Sequence, residues 1–473
     1  MSAAQPLCVD LDGTLVRTDL LLESVLALLK RNPLYLFALP LWLLKGRAHL
    51  KCEVARRVRV DMAGLPYDRR VLNLLETERG RRPLVLCTAS DQVLAEAIAQ
   101  HLGCFDKVMA SDGSCNLSGR RKAGALVEAY GERGFDYAGN EARDLAIWRH
   151  ARRAYVVNAG DGLAARASRV SEVADVLPRE RAGLRTWLKA LRVHQWLKNV
   201  LVFVPLLAAH MLLQPSAAGH AIAAFVIFGV CASGVYVLND LLDLGVDRAH
   251  PRKRERPFAA GRLPLSAGLV MAPLLTVAAF AAAYALSPRF ALVLLGYYAL
   301  TLAYSLRLKQ IAMLDVLVLA GLYTLRIIAG SVAIATGLSF WLLAFSMFLF
   351  LSLALLKRYT ELVVQRDAGE AQAQGRGYAT SDASMLATLG GASGYLSVLV
   401  LALYIDSAAS AALYRYPQWL WLMCPLLLYW ISRVWIIAHR GAMHDDPVVF
   451  AVTDNVSRVV LVLGALVALL AIR

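Results

Sequence analysis

Two stretches of this 473-residue chain place carboxylates at spacings that can hold a cation against phosphate oxygens. The first is Asn239-Asp-Leu-Leu-Asp243-Leu-Gly-Val-Asp247, directly after the apolar run 217–238. On a helix, where successive residues turn by about 100°, Asn239, Asp240, Asp243 and Asp247 fall within one arc of about 100°. Three acids and an amide on one face at a membrane edge are costly unless they bind cations. Such oxygens suit Mg²⁺, and Mg²⁺ bridges diphosphate oxygens. The second stretch is Leu7-Cys-Val-Asp-Leu-Asp-Gly-Thr-Leu15, an apolar strand ending in Asp10 and Asp12. Alternate strand residues point the same way, so these carboxylates stand side by side where the strand opens into Gly13-Thr14. Such a pair can hold Mg²⁺ while one carboxylate attacks phosphorus and the other shuttles a proton.

The elements that must position these groups differ in kind. The chain is 58% hydrophobic and 18% charged, with a mean hydropathy of +0.52, which excludes a single soluble domain. Disorder, collagen and a disulfide scaffold are excluded by the apolar content and by only 32 Gly and 7 Cys. The cysteines are odd in number and lack CxxC spacing, as expected in a reducing compartment with no zinc site. Residues 1–177 read as an α/β domain, 178–186 as a linker rich in Pro, Gly and charge, and 187–473 as a membrane domain. Nine apolar runs near span length are expected there: 187–210, 217–238, 264–286, 290–305, 312–335, 338–356, 386–405, 418–438 and 455–472. No cleavable signal is expected, because the first apolar stretch already carries Asp10 and Asp12.

The net charge is +15, and its distribution favours topology over nucleic-acid binding. Arg and Lys crowd the approach to the first span and the loops after spans 2, 4 and 6, whereas the odd loops carry almost none. The positive-inside bias therefore puts the N-terminal domain in the cytoplasm and the C-terminus on the outer side of a cell membrane.

DxDGT at Asp10–Thr14 resembles the first motif of the haloacid dehalogenase-like phosphatases, and later stations follow in order. Thr88, ending the strand Pro83–Thr88, matches the family's hydroxyl station, and Lys122 the lysine that neutralises phosphoryl oxygens. Asn140 and Asp144, after the strand at 135–139, stand where the acidic metal motif belongs. Asn140 replaces the usual Asp, so one charge is lost from a metal set of Asp10, Asp12, Asn140 and Asp144. The resemblance implies a Rossmann-like α/β fold with a helical cap over about 18–82. Within the cap, the apolar segment 34–44 is too short to span a bilayer. A membrane-surface helix and a buried helix pair both fit it.

The acid motif resembles that of UbiA-type intramembrane prenyltransferases, which also have nine helices. Members that prenylate aromatic rings carry a second DxxxD motif after span 4. Here that region, Tyr304-Ser-Leu-Arg-Leu-Lys309 to Asp315, has one acid and two cations. The cationic loop holding Lys253, Arg254 and Arg256, Lys198 at the start of span 1, and Lys357-Arg358 after span 6 complete a set similar to the decaprenyl-phosphate phosphoribosyltransferase branch. Asp315 and Arg326 share a face of span 5, and Lys357 and Glu361 are i,i+4 neighbours. The resemblance implies Mg²⁺ on Asn239, Asp240, Asp243 and Asp247. Phosphate contacts would come from Lys198, Lys253, Arg254, Arg256, Tyr304, Lys309, Asp315, Arg326, Lys357 and Arg358. The implied reaction moves phosphoribose from phosphoribosyl diphosphate to a polyprenyl phosphate, with the head then removing a phosphate. Aromatic prenyl transfer with an accessory head is the alternative, and a transporter with a regulatory head is a more distant one. Formation of a homo-oligomer stays open.

Overall fold

The computed structural model describes residues 4–367, 377–443 and 447–472. Its first part alternates strands and helices: β1 (Leu7–Val9), α1 (Leu20–Arg31), α2 (Tyr35–Leu44), α3 (Arg47–Ala55), α4 (Arg69–Glu78), β2 (Leu84–Asp91), α5 (Gln92–Leu102), β3 (Lys107–Ser111), α6 (Arg120–Tyr130), β4 (Asp136–Gly139), α7 (Leu145–Trp148), β5 (Arg153–Ala159), α8 (Asp161–Ala167) and β6 (Glu172–Pro178). All six strands are parallel, in the order β3-β2-β1-β4-β5-β6, with Leu7 opposite Leu84 on one side and Asp136 on the other.

Residue alternation builds the core on both faces of this sheet. Leu7, Val9, Leu84 and Leu86 enter one buried cluster, and Cys8, Val85 and Cys87 the other. The order reverses between β1 and β4, and in such sheets ligands bind beyond the strand ends at that switch point. Asp10 follows the last residue of β1 there. The helical insertion expected between β1 and β2 is present as α1–α4, and Leu20 of α1 and Val71 and Leu75 of α4 pack into the sheet's own core.

The second part is helical: α9 (Leu184–Ala190), α10 (Val204–Ala208), α11 (Pro215–Leu242), α12 (Leu244–Ala249), α13 (Leu265–Leu286), α14 (Pro288–Leu306), α15 (Leu314–Ala333), α16 (Phe340–Asp367), α17 (Ala383–Ile405), α18 (Ala408–Leu413), α19 (Met423–His439), α20 (Pro447–Thr453) and α21 (Asn455–Ile472). Among the described residues, eight helices are long and apolar enough to cross a membrane, not the nine expected. The first expected run, 187–210, is not one α-helix. Arg192 turns into the left-handed region (φ +49°), and Val193–Phe203 winds as a 3₁₀ helix before α10. The tighter winding goes with a close approach: a Cβ added to Gly330 of α15 would lie 2.0 Å from the Val202 carbonyl oxygen. α11 and α15 are the most buried of the eight helices, whereas α13, α14 and α21 leave most of their apolar surface facing outward.

The chain divides into two compact units at places the composition does not mark. One holds the residues up to Leu191 together with Tyr236–Pro273; the other holds Arg192–Val235 and the residues from Leu274. The acid motif and its cationic loop thus belong to the same unit as the α/β sheet.

Within that unit Asp68 is fully buried at the N-terminus of α4. Arg70 (2.7 Å), Asn158 (3.0 Å) and Arg17 (3.1 Å) donate to its carboxylate. Burial alone would raise its pKa, but these donors outweigh it and hold the carboxyl well below the usual range. The folded value lies below the unfolded one, so the stabilisation is complete above about pH 4 and is lost as pH falls through the folded value. Asp68→Asn should cost about 3 kcal/mol at neutral pH, because it leaves Arg70 without its anion and Arg17 with only the exposed Glu180. It should also flatten the acid limb of the unit's stability, read as unfolding of the full chain in detergent between about pH 2 and 5.

Candidate functional site

The acid motif sits on a helix that is interrupted at Asp243 without losing register. α11 ends at Leu242 and α12 begins at Leu244, yet Asp243 N donates to Asn239 O (2.9 Å) and Asp247 N to Asp243 O (2.8 Å). The i→i+4 bonds keep the four side chains on one face across the junction. Asp240 and Asp247 are 2% exposed. The Arg256 guanidinium lies between them, with Nη1 donating to Asp247 Oδ2 (2.6 Å) and Asp240 Oδ1 (3.2 Å). Burial raises the Asp247 carboxyl, and Arg256 offsets only part of the shift. Lys30, at the end of α1, pairs with Asp243 (2.5 Å). Arg248 is turned the other way, toward Glu23 of α1 and the Ala259 carbonyl, and both members of the Glu23–Arg248 pair are under a tenth exposed. Asn239 and Lys253 are half-buried nearby in sequence, and Arg254 is exposed.

Among the described residues no three Asp, Glu, His or Cys side chains converge into a ready-made metal cluster; nitrogen cations lie among these acids instead. The donor set nevertheless fits a hard divalent cation: oxygen only, two members deeply buried, and one guanidinium nitrogen already in the bridging place.

In the other unit the expected phosphate-binding residues separate into two groups. Near the α15 N-terminus, Asp315 pairs with Arg358 of α16 at 2.7 Å, and both side chains are fully buried. Tyr378 donates to Asp315 (2.5 Å), and Arg358 also engages Glu361. Three turns along α15, Arg326 binds Asn199 Oδ1 (2.9 Å), Tyr297 Oη (3.1 Å) and the Leu322 carbonyl, with its guanidinium over the Tyr297 ring at 5.0 Å. Asp315 and Arg326 share a helix but serve different partners. Lys198, Tyr304, Lys309 and Lys357 are each half-buried on their own elements.

The head residues do come together. Lys122 Nζ donates to Asp10 Oδ1 (2.8 Å), to the Cys87 carbonyl (3.1 Å) and to Tyr137 Oη (3.0 Å), whose hydroxyl reaches Asp144 (3.3 Å). Burial would lower the Lys122 pKa, but Asp10 and the neighbouring anionic groups raise it, so the ammonium stays charged. Asp144 accepts from the Asn140 and Glu141 backbone (2.9 Å each), and burial, then repulsion from Asp10, raises it to about 6. Asp12 accepts from Ser90 Oγ (2.6 Å) and Leu20 N (2.8 Å), and burial, then Asp19, raises it to about 7. Thr14 donates to Asn140 Oδ1 (3.2 Å). Gly13 (φ +74°) has no room for a side chain, since a Cβ would lie 2.1 Å from Asn140 Nδ2. Thr88 is fully buried and accepts from Ser90 N (3.0 Å), so Ser90 is the hydroxyl that meets the acid pair.

Residues 202–471, more than half of the chain, match the UbiA prenyltransferase family profile. The chain belongs to that family. With eight apolar helices, membership makes it a multi-pass membrane transferase. A Sinorhizobium fredii protein named uncharacterized protein y4nM is 39% identical to this UbiA-family chain over 467 residues, covering 98% of the chain and 90% of its own length. Decaprenyl-phosphate phosphoribosyltransferase of Mycobacterium tuberculosis is 40% identical over 194 residues, covering 39% of the chain and 62% of its own length. A solved UbiA homolog from Archaeoglobus fulgidus bound to DMAPP and Mg²⁺ aligns with a TM-score of 0.46 and 17% identity, covering 60% of the chain and 98% of its own.

Glu23 and Lys30 of this UbiA-family chain gave no sequence signal, because their partners lie more than 200 residues away. Ser90 did give one: it alternates with Thr88 on the strand. For the Asp315–Arg358 pair, magnitudes decide what substitution does. Removing one member of a buried pair strands a charge and costs about 3–5 kcal/mol. Arg358→Ala should therefore lower the thermal unfolding temperature in detergent markedly, and Asp315→Leu combined with Arg358→Met should recover part of the loss. A double variant no better than the single would show that the pair is not the source of the effect.

Proposed function

We propose that the membrane domain transfers phosphoribose from phosphoribosyl diphosphate to a polyprenyl phosphate at the cytoplasmic face. The observation that carries this reading is the charge-matched acid motif. Asp240, Asp243 and Asp247 already face cationic side chains, and Arg256 and Lys30 would be free to meet phosphate where those acids held a divalent cation. Mg²⁺ held by these acids and Asn239 would supply the positive charge that a departing diphosphate needs. The lipid phosphate oxygen bonds to the ribose anomeric carbon as the carbon–oxygen bond to diphosphate breaks, and diphosphate leaves. The lipid phosphate is already ionised, so no protein base is required. Lys30, Arg256, Lys253 and Arg254 bind and orient the donor phosphates. Asp315 is the one acid in residues 304–315, where a second acidic metal station of the aromatic-prenylating kind needs two. The phosphoribosyl donor is favoured further by the named activity of the mycobacterial relative over its shared 194 residues.

For residues 1–177 we infer a haloacid dehalogenase-type phosphatase acting on the 5-phosphate of the lipid-linked product. Asp10 attacks phosphorus, Lys122 holds the phosphoryl oxygens, and Asp12, protonated up to about pH 7, gives its proton to the leaving alkoxide. Water then attacks the phospho-aspartate and releases phosphate. Asn140 and Asp144 would supply the remaining oxygens were Mg²⁺ bound.

The two halves are separable by variants. Asp243→Asn should abolish transfer while leaving hydrolysis of a small phosphate ester intact, and near-normal transfer would remove the acid motif from the mechanism. Asp10→Asn should leave transfer intact and make the phosphorylated lipid-ribose accumulate, because an amide cannot form the phosphoenzyme. Mass spectrometry of membrane extracts reads both, and identical product profiles for wild type and Asp10→Asn would remove the phosphatase step.

A further inference from the structure

Helix α2, Tyr-Leu-Phe-Ala-Leu-Pro-Leu-Trp-Leu-Leu over Tyr35–Leu44, buries none of its residues. Leu34, Phe37 and Leu44 are 69%, 73% and 85% exposed, and Leu36, Leu41 and Leu43 are at least half exposed. The buried-helix-pair reading of this segment is thereby overturned: its large side chains have no protein core to enter. A helix apolar on every side has no face for water, and only a core or a membrane suits it.

We propose that α2 is a monotopic anchor that inserts into the acyl region of one bilayer leaflet. Its length supports this. Ten residues at 1.5 Å each give about 15 Å, roughly half the hydrocarbon thickness, so it can enter one leaflet but not cross. A helix also satisfies its own backbone bonds in lipid.

The bilayer is identified as the occupant by what the same compact unit holds. Leu26 of α1 shares an apolar cluster with Leu241 and Leu244, on either side of the end of the membrane-length helix α11, and with Leu265, where α13 begins. Lys30 pairs with Asp243, the residue that follows α11. From Lys30 to Leu34 is four residues, at most about 14 Å of chain, so α2 begins at the edge of the bilayer that α11 enters. The flanks agree. Lys30 and Arg31 precede α2 and Lys45 and Arg47 follow it, placing cations at both ends where anionic headgroups lie. Trp42, near the C-terminal end, carries the Arg57 guanidinium 4.9 Å from its ring, a combination suited to the headgroup layer.

The test uses the full chain reconstituted in phosphatidylcholine–phosphatidylglycerol vesicles containing a lipid with a photoreactive diazirine in its acyl chain. After irradiation, peptide mass spectrometry should find lipid adducts on residues 34–44 as well as on the long helices. Phe37→Asp combined with Leu41→Asp should lose the adducts on 34–44 and keep those on the long helices; because both residues are exposed, the rest of the unit should fold unchanged. Adducts on the long helices with none on 34–44 in the wild type would overturn the proposal. Recovery of 34–44 only in cross-links between two copies of the chain would also overturn it, making this face a protein interface instead.

Discussion

Three carboxylates at the end of a membrane helix must be neutralised, and the arrangement around them follows from that requirement. Asp240 and Asp247 are almost wholly withdrawn from water, where an unpaired ion costs several kcal/mol. Arg256 returns from the loop to bridge both. Asp243, more exposed, takes its cation from α1 of the head. Arg248, next to Asp247, is kept away from the acids by its own buried partner, Glu23.

The two contacts from α1 differ in strength, and the difference assigns them different roles. Glu23–Arg248 is buried at both ends, so breaking it leaves a stranded charge; it is the fixed joint between α1 and the acid-motif helix. Lys30–Asp243 is more than a quarter exposed at both ends, a class of pair worth about 1 kcal/mol or less. A contact that weak is readily exchanged for a metal ion or a phosphate. The head thus holds the motif with one pair and leaves it accessible with the other.

The legible parts of the sequence were those set by local period. Alternation in Leu7–Asp12 and in the strand ending at Thr88 marked two strands of the sheet, and the i, i+4 spacing of Asn239, Asp243 and Asp247 survived a helix junction. Asp10, Lys122, Asn140 and Asp144 were gathered by the motif order that resembles the haloacid dehalogenase-like phosphatases; in the structure each follows a strand of one parallel sheet or opens a helix after one. What stayed hidden depends on partners remote in sequence. The spacing of Asp315 and Arg326 predicted a shared face correctly, but it could not show that Arg358 and Tyr378 claim one and Asn199 and Tyr297 the other. The 3₁₀ winding of Val193–Phe203 was equally hidden, since apolar content reads the same in either helix. Nor does any local pattern reveal that 236–273 joins the unit of the sheet.

The choice of donor tests the account most directly. Purified full-length protein in vesicles with Mg²⁺, polyprenyl phosphate and an aromatic acceptor would be offered labelled phosphoribosyl diphosphate and, in a parallel reaction, labelled prenyl diphosphate. The account predicts label from phosphoribosyl diphosphate in the lipid fraction and none transferred from prenyl diphosphate to the aromatic ring. Transfer of the prenyl label with no phosphoribosyl label entering lipid would contradict it.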